Sequence, residues 1–484
     1  MLSKPLAGVG RRKMSTVDTA WLRMDSDANL MMIVGVAMLH PAVSVAALKR
    51  ALAARLLVYS RFRSRVVSDL AGAWWQLQEV ELDDHVIHTS LPAHARGSSN
   101  KAALQTLVAT LAQRRLDPDK PLWQMHLVDN CTGEDGVTRQ ALVIRIHHCI
   151  ADGIALIGVF MSLFDGAPDA TDYQPRPQSA AADDKPWSQI TLPIAAASIK
   201  AIDLTSGMLS KSLGMLTDLD RLPAQLATLG QTAVQLAGDA IRLGTMDEDS
   251  PTRLKGRPSG KKHVAWSEPL ALDEVKTIGK AFGCSINDVL MASVAGALRA
   301  YLRAKGDAVD ADCEVRAMVP VNLRKASRRQ RLGNAFGLVP LVLPVGIEDP
   351  VARLYEVRRR MNELKGGYTA LVAMSVLGVL GATPKLVQTE IQGYFSSKAT
   401  AVMSNVPGPQ TPLYLAGSKL EQCMFWVPQS GDIGIGVSIL SYNGGVQFGI
   451  VTDDALVSDP ERVIARFAPE FEKLVLTALM SDWQ

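Results

Sequence analysis

Apolar residues fall into two kinds of run along this chain. Short β-branched runs bounded by polar sequence, at residues 31–39 and 141–146, predict buried strands. Longer runs predict helices: 45–57 by the Ala and Leu spacing that gives one apolar face, and 154–164, closed by Gly166, by length. The second half repeats the alternation. Helices are expected at 272–282 and from Ser285 through Ala292, Leu298 and Leu302, and strands at 315–320 and 338–344. Strands and helices mixed in both halves place the chain in the α/β (α+β) class. No sequence repeat of fixed period is present.

The pattern breaks after Gly166. Residues 165–187 are rich in Pro, Asp, Ala and Gln with little apolar periodicity, and read as an exposed linker. Residues 190–243 are Ala- and Leu-rich, with Leu222, Leu226, Leu229, Ala233 and Leu236 recurring at three to four residues. Asp220 before Pro223 suits a helix start and Gly244 a stop. Such a helix packs along the joined halves or lies at a lipid interface. A second polar loop, 247–262, contains Pro251, Pro258, Lys261 and Lys262. The expected organisation is a disordered extension at 1–14, a first half at 15–166, a linker and helical connection at 167–262, and a second half at 263–484.

Composition narrows the function classes. At 484 residues the chain exceeds one typical core, so two domains or two fused halves are expected. With 48% hydrophobic and 20% charged residues and mean hydropathy of +0.10, it has ample core. A net charge of +3 is too small to argue for nucleic acid. At most it permits a mild preference for anionic lipid headgroups or CoA phosphates. Cysteines at 131, 149, 284, 313 and 423 form no CxxC pair, which suits a reducing cytosol. No metal-ligand spacing, Walker A run or dinucleotide fingerprint occurs, so neither a metal nor a cofactor is implied. No apolar run reaches eighteen residues, so no transmembrane helix is expected. Arg11-Arg12-Lys13 is followed by no apolar run of the signal-peptide kind, and Met14 looks like a natural start.

The chemistry concentrates at His147-His148-Cys149-Ile150-Ala151-Asp152-Gly153, which reads HHxxxDG. The strand at 141–146 runs into the histidines and the helix at 154–164 follows, so the pair sits at a strand-to-helix turn. Successive strand side chains point to opposite faces, and only one of the two imidazoles can face a given cavity. An imidazole there can take a proton from a hydroxyl and return it to a leaving group. A lone histidine is more often structural, and Cys149 more often a small buried hydrophobe than a nucleophile. The fixed spacing is what favours a catalyst.

Other landmarks appear in order: Pro121-Leu122-Trp123, Asn287-Asp288 after Ser285, the run 332–337, Ser404-Asn405-Val406-Pro407-Gly408-Pro409, and the run 431–436. HHxxxDG resembles the signature of the CoA-dependent acyltransferase superfamily. Taken together, PLW, HHxxxDG, ND and SNVPGP resemble the bacterial wax ester synthase/diacylglycerol acyltransferase family, from about Ser15 to the C-terminus. The DFGWG segment of condensation domains is absent, which argues against a carrier-protein-dependent condensation enzyme.

The resemblance implies two chloramphenicol-acetyltransferase-like halves, each a mixed sheet with flanking helices, around a central substrate tunnel. It implies O-acyl transfer from acyl-CoA to diacylglycerol or a long-chain fatty alcohol, with His148 as general base, no covalent intermediate and no cofactor. His147 and Asp152 stand beside His148 in the candidate catalytic set, Asp152 as a structural carboxylate held in an ion pair. Asn287 either donates to the oxyanion or caps a helix. Gly153, Trp123, Asp288, Ser404 and Asn405 are candidate substrate contacts, although a Pro-Leu-Trp turn also suits packing. Ser60 to Arg65 reads first as a solvated cationic segment and second as a CoA phosphate contact. A cytoplasmic enzyme bound peripherally to the inner membrane or lipid inclusions is expected. A different alcohol or amine acceptor, or a non-catalytic lipid-droplet protein, is the alternative.

Overall fold

A computed structural model describes residues 11–69, 72–93, 98–168, 239, 242–323, 332–365, 367, 369–383 and 385–480. Two large mixed sheets carry the described chain. In spatial order the first comprises Tyr414–Leu415, Ser418–Trp426, Met32–His40, Thr138–His147, Trp123–Thr132 and Val86–Ser90. All neighbours in it are antiparallel except the last pair. The second runs Phe336–Leu343, Val315–Asn322, Ala401–Pro407, Ile435–Tyr442, Gly445–Asp453 and Lys262–Trp266, with Leu270–Ala271 also pairing on Gly445–Asp453. Its Ala401–Pro407 strand is parallel to both neighbours.

The predicted elements form where the apolar runs place them: helices Val45–Arg55, Gly153–Leu163, Leu272–Ala281 and Ile286–Ala304, and strands Met32–His40, Thr138–His147, Val315–Asn322 and Phe336–Leu343. One feature crosses the halves. Ser418–Trp426, late in sequence, pairs with Met32–His40 and completes the sheet of the first half. The larger core cluster accordingly draws Met424, Trp426, Leu440 and Val451 into the packing around Ile33 and Ile144.

Three expectations are corrected. Arg12–Lys13 is not disordered but pairs with Trp74 and Trp75 in a small three-stranded sheet, and Met14 is buried. Lys262, expected at the end of a polar loop, instead opens the strand Lys262–Trp266 and is buried, its Nζ donating to Asn29 Oδ1 at 2.6 Å beside Asp453. Ser60–Arg63 is a 3-10 turn anchored by buried Phe62, and Arg61 faces inward. Beyond residue 168 the expected linker, like the helix expected through Leu222 to Leu236, lies outside the described residues.

Candidate active site

Strand Thr138–His147 pairs with Met32–His40 so that Met32 faces His147 and Ile33 faces Ile146. The Met31 carbonyl accepts the His148 N–H at 2.7 Å, which carries the ladder one residue into the motif. The chain then turns, Ile150 N–H donating to the His147 carbonyl at 3.0 Å. Asp152 ends the turn as N-cap of Gly153–Leu163, its Oδ1 accepting Ala155 N–H at 3.0 Å. Its Oδ2 accepts the N–H of Ala335, from the second half, at 2.9 Å. The carboxylate thus serves two backbone amides, one as helix cap and one as a link to the second half.

The two histidines have opposite surroundings. His147 Nδ1 accepts the Cys149 N–H at 3.1 Å, and Nε2 lies 3.4 Å from Asp25 Oδ1. Burial alone would lower this imidazole, but Cys149 and Asp25 reverse the effect and its pKa is raised. Nε2 is the nitrogen turned toward the Asp25 carboxylate, which favours a proton there. Burial of Asp25 is likewise outweighed, by hydrogen bonds from His147 and Met31 N–H and by Arg115, and its carboxyl is held below the usual range.

His148 is clasped between aromatic rings. Trp21 stacks on it with centroids 4.2 Å apart and planes at 23°, and Phe336 meets it at 5.6 Å and 47°. Only 4% exposed, it has its pKa pushed down to about 4, mainly because burial penalises the imidazolium. At neutral pH this ring is unprotonated, as a general base must be.

A strap from the second half holds the motif in place. Asn334 Nδ2 donates to the His148 carbonyl at 2.9 Å and to Asp18 Oδ1 at 2.8 Å. Arg61 pairs with Asp18 at 2.8 Å and donates to the Ile150 carbonyl at 2.6 Å. Arg61 is therefore neither a solvated cation nor oriented toward a phosphate. It neutralises a buried carboxylate and braces the turn.

An apolar cavity opens against the same sheet, lined among others by Ile144, Ile146, Gly153, Leu156, Phe160 and Gly408. Ile144 and Ile146 project to the face opposite Val143, Arg145 and His147, and His148 follows them in the alternation. A Cβ added at Gly153 would meet nothing within 4 Å, so this glycine leaves open space at the cavity wall.

The remaining candidates are elsewhere. Trp123 is 1% exposed, donates Nε1–H to the Phe62 carbonyl at 2.9 Å and stacks on His85, which is a packing role. Ser285, not Asn287, caps Ile286–Ala304. Asp288 closes a capping box by accepting Ser285 N–H at 2.8 Å. Asn287 is exposed, its Oδ1 accepting from Asn405 Nδ2 at 2.8 Å, and among the described residues no hydrogen bond or ring contact joins it to His148. Ser404 is buried opposite Ser438 in the Ala401–Pro407 strand. The SNVPGP segment is thus strand up to Pro407, with Gly408 and Pro409 in the cavity wall. Trp21, Phe336, Asn334 and Asp18 were absent from the sequence-derived set, and Arg61 entered the reading only as a solvated cation or a phosphate contact, because no spacing rule ties them to the histidines.

Comparison with known proteins agrees with this architecture. Residues 14–290 match the wax ester synthase/diacylglycerol acyltransferase catalytic domain, and 332–475 match the WS/DGAT C-terminal domain. Rv3087 and Rv2285 of Mycobacterium tuberculosis (strain ATCC 25618 / H37Rv), each provisionally named a diacylglycerol O-acyltransferase, are similar at 25% and 27% identity. These matches cover 84% and 86% of this chain and 82% and 87% of theirs. The fold resembles the wax ester synthase/diacylglycerol acyltransferase from Marinobacter aquaeolei VT8, with TM-score 0.65 and 19% identity over 96% of this chain and 99% of that one. It also resembles the first condensation domain of the calcium-dependent antibiotic synthetase, with TM-score 0.60 and 15% identity over 97% and 96%. With a catalytic-domain match spanning more than half its length, the chain belongs to the wax ester synthase/diacylglycerol acyltransferase family and is an acyltransferase.

Proposed function

We propose that this enzyme transfers a long-chain acyl group from acyl-CoA to the hydroxyl of diacylglycerol or of a long-chain fatty alcohol, with His148 as general base. The observation that carries the reading is a buried imidazole clasped by Trp21 and Phe336, its pKa pushed down to about 4, two residues after Ile146 of an apolar cavity's wall. Neutral His148 removes the hydroxyl proton as the alcohol oxygen attacks the thioester carbonyl. The tetrahedral intermediate collapses, the C–S bond breaks, and the departing CoA sulfur takes the proton back from His148. The reaction is complete with two substrates and one base, so no cofactor enters it.

In this reading the acyl tail enters the apolar cavity beside Ile146. His147 and Asp152 hold the turn, and Gly153 leaves room for the chain. Asn287 and Asn405, paired at the start of Ile286–Ala304, contact polar parts of the substrates, with Asp288 and Ser404 supporting them. Both substrates carry long apolar chains, and among the described residues no single helix is long and apolar enough to cross a membrane. The enzyme therefore works peripherally at the inner membrane or at lipid inclusions.

The test is thiol release from palmitoyl-CoA with hexadecanol or dioleoylglycerol as acceptor. Acceptor-dependent release is expected, with a loss of about 100-fold or more in folded His148→Ala. Undiminished release by that variant would overturn the assignment.

A further inference from the structure

We propose that Gly35 decides how long an acyl chain the enzyme accepts: the side chain it lacks leaves the gap through which a long tail passes between Ile144 and Phe425. The proposal rests on the reading that the acyl tail enters this cavity, and it names the residue that limits the depth.

A glycine inside a central strand needs a reason, because it weakens the strand and packs nothing. Gly35 lies within Met32–His40, which has a paired strand on each side. The usual reasons do not apply. Its φ lies outside the left-handed region, and no bulge interrupts the pairing of Ile33 to Ala37 with Thr138–His147 or of Gly35 to Ala37 with Phe425 to Cys423. No backbone crowds it either: a Cβ built here would lie 3.5 Å from the Met424 carbonyl oxygen and 3.8 Å from Phe425 Cβ, which are ordinary contacts. The fold would accept alanine.

What remains is the space itself. From Met32 to Leu39 every residue is buried except Gly35, which opens onto the cavity. Residues directly opposite on paired strands share a face, so the cavity wall rises in levels: Ile33 with Ile146, then Gly35 flanked by Ile144 and Phe425. Two bulky side chains thus stand on either side of a missing one. Tyr442, also in the wall, lies deeper: its hydroxyl donates to the Leu420 carbonyl at 2.9 Å, and Leu420 pairs with Leu39, beyond Gly35 from the motif. The same hydroxyl accepts Leu413 N–H at 2.8 Å, so both of its hydrogen bonds go to backbone.

Distance along the strand turns the gap into a length limit. At about 3.3 Å per residue, the level of Gly35 and Ile144 lies about 13 Å from His148, roughly ten carbons of an extended chain. An octanoyl tail stops short of it and a palmitoyl tail passes it. A side chain at position 35 therefore obstructs the second and spares the first.

The experiment compares kcat/KM of the full-length protein for octanoyl-CoA and palmitoyl-CoA at fixed hexadecanol. The variants are Gly35→Ala, Gly35→Val, Gly35→Val combined with Phe425→Ala, and Leu156→Trp. Each methylene displaced from the wall costs about fourfold, so palmitoyl-CoA should lose about fourfold in Gly35→Ala and about 15-fold in Gly35→Val, with octanoyl-CoA within about twofold. Trimming Phe425 should restore part of the palmitoyl activity in the double variant, which a folding defect at Gly35 would not allow. An unchanged ratio of palmitoyl to octanoyl activity in folded Gly35→Val overturns the proposal, and if that variant does not fold, the same result in Gly35→Ala overturns it. Where Leu156→Trp still separates the two donors, the acyl tail stays in the cavity and only the role of Gly35 falls; where neither position separates them, the reading of the cavity falls as well. A second series, octanol against hexadecanol at fixed palmitoyl-CoA, should show no change of preference in Gly35→Val. A shift toward octanol there, with the acyl series flat, would place the acceptor's chain in the gap and overturn the assignment to the acyl tail.

Discussion

Replacing His148 with glutamine should make the enzyme less acid-sensitive even as it becomes inactive. The exposed imidazole of the unfolded chain titrates near 6.5 and the folded one at about 4, because burial disfavours the imidazolium. Between those values the unfolded chain binds a proton that the native state refuses, so native stability falls as pH drops from 6.5 toward 4. At pH 7.5 the ring is neutral in both states and contributes almost nothing. At pH 5 the linkage amounts to about 2 kcal/mol, and its limit, below pH 4, is about 3 kcal/mol. Glutamine is polar and does not titrate, so the variant lacks this loss. Equilibrium urea unfolding of both proteins at pH 7.5, 6 and 5 reads the difference directly: the stability gap should move by about 2 kcal/mol in favour of His148→Gln between the first and last. Parallel pH dependence of the two proteins would refute the argument, since it would mean that folding does not perturb His148.

Three further outcomes follow from the same geometry. Arg61→Ala leaves Asp18 buried without its cation and should cost about 3 to 5 kcal/mol in calorimetric or urea unfolding, with Arg61→Lys restoring only part because one ammonium cannot reproduce the planar fork shared by Asp18 and the Ile150 carbonyl. Leu156→Trp narrows the cavity; displacing two methylenes of a bound tail costs about 1.6 kcal/mol, so kcat/KM for palmitoyl-CoA should fall roughly 15-fold while octanoyl-CoA changes little, and equal losses for both would place the tail elsewhere. Initial rates at varied acyl-CoA and alcohol should give intersecting double-reciprocal lines with negligible thiol release from acyl-CoA alone, whereas a stoichiometric burst with acyl label retained on protein would make Cys149 the leading nucleophile.

Local pattern carried much of the fold. The β-branched run at 141–146 and the apolar run after Gly153 specify a strand and a helix by periodicity alone, and the opposite facing of His147 and His148 follows from strand alternation. Periodicity is silent about partners more distant in the chain. It could not show that Ser418–Trp426 would complete the first sheet, since strand pairing depends on which hydrophobic faces meet. Nor could it show that Arg61 would turn inward. A run with three arginines looks solvated until a buried carboxylate such as Asp18 requires neutralising. Of the two readings of Asn287, the cap belongs to its neighbours: Ser285 and Asp288 form the capping box, and the asparagine between them is left exposed to pair with Asn405.

The strap has a consequence for how the site is built. A neutral imidazole at pH 7 requires a dry surround, and here Trp21 supplies one wall while Phe336 supplies another from the opposite half. Drying the site buries Asp18, whose charge is met by Arg61 and by Asn334. Asn334 in turn holds the histidine by its carbonyl. Each group that excludes water from the base thus creates a polar requirement met by the next, and the chain of requirements runs from the first half into the second. The motif residues place an imidazole at the turn, but its low proton affinity depends on contacts assembled only when the two halves have packed together.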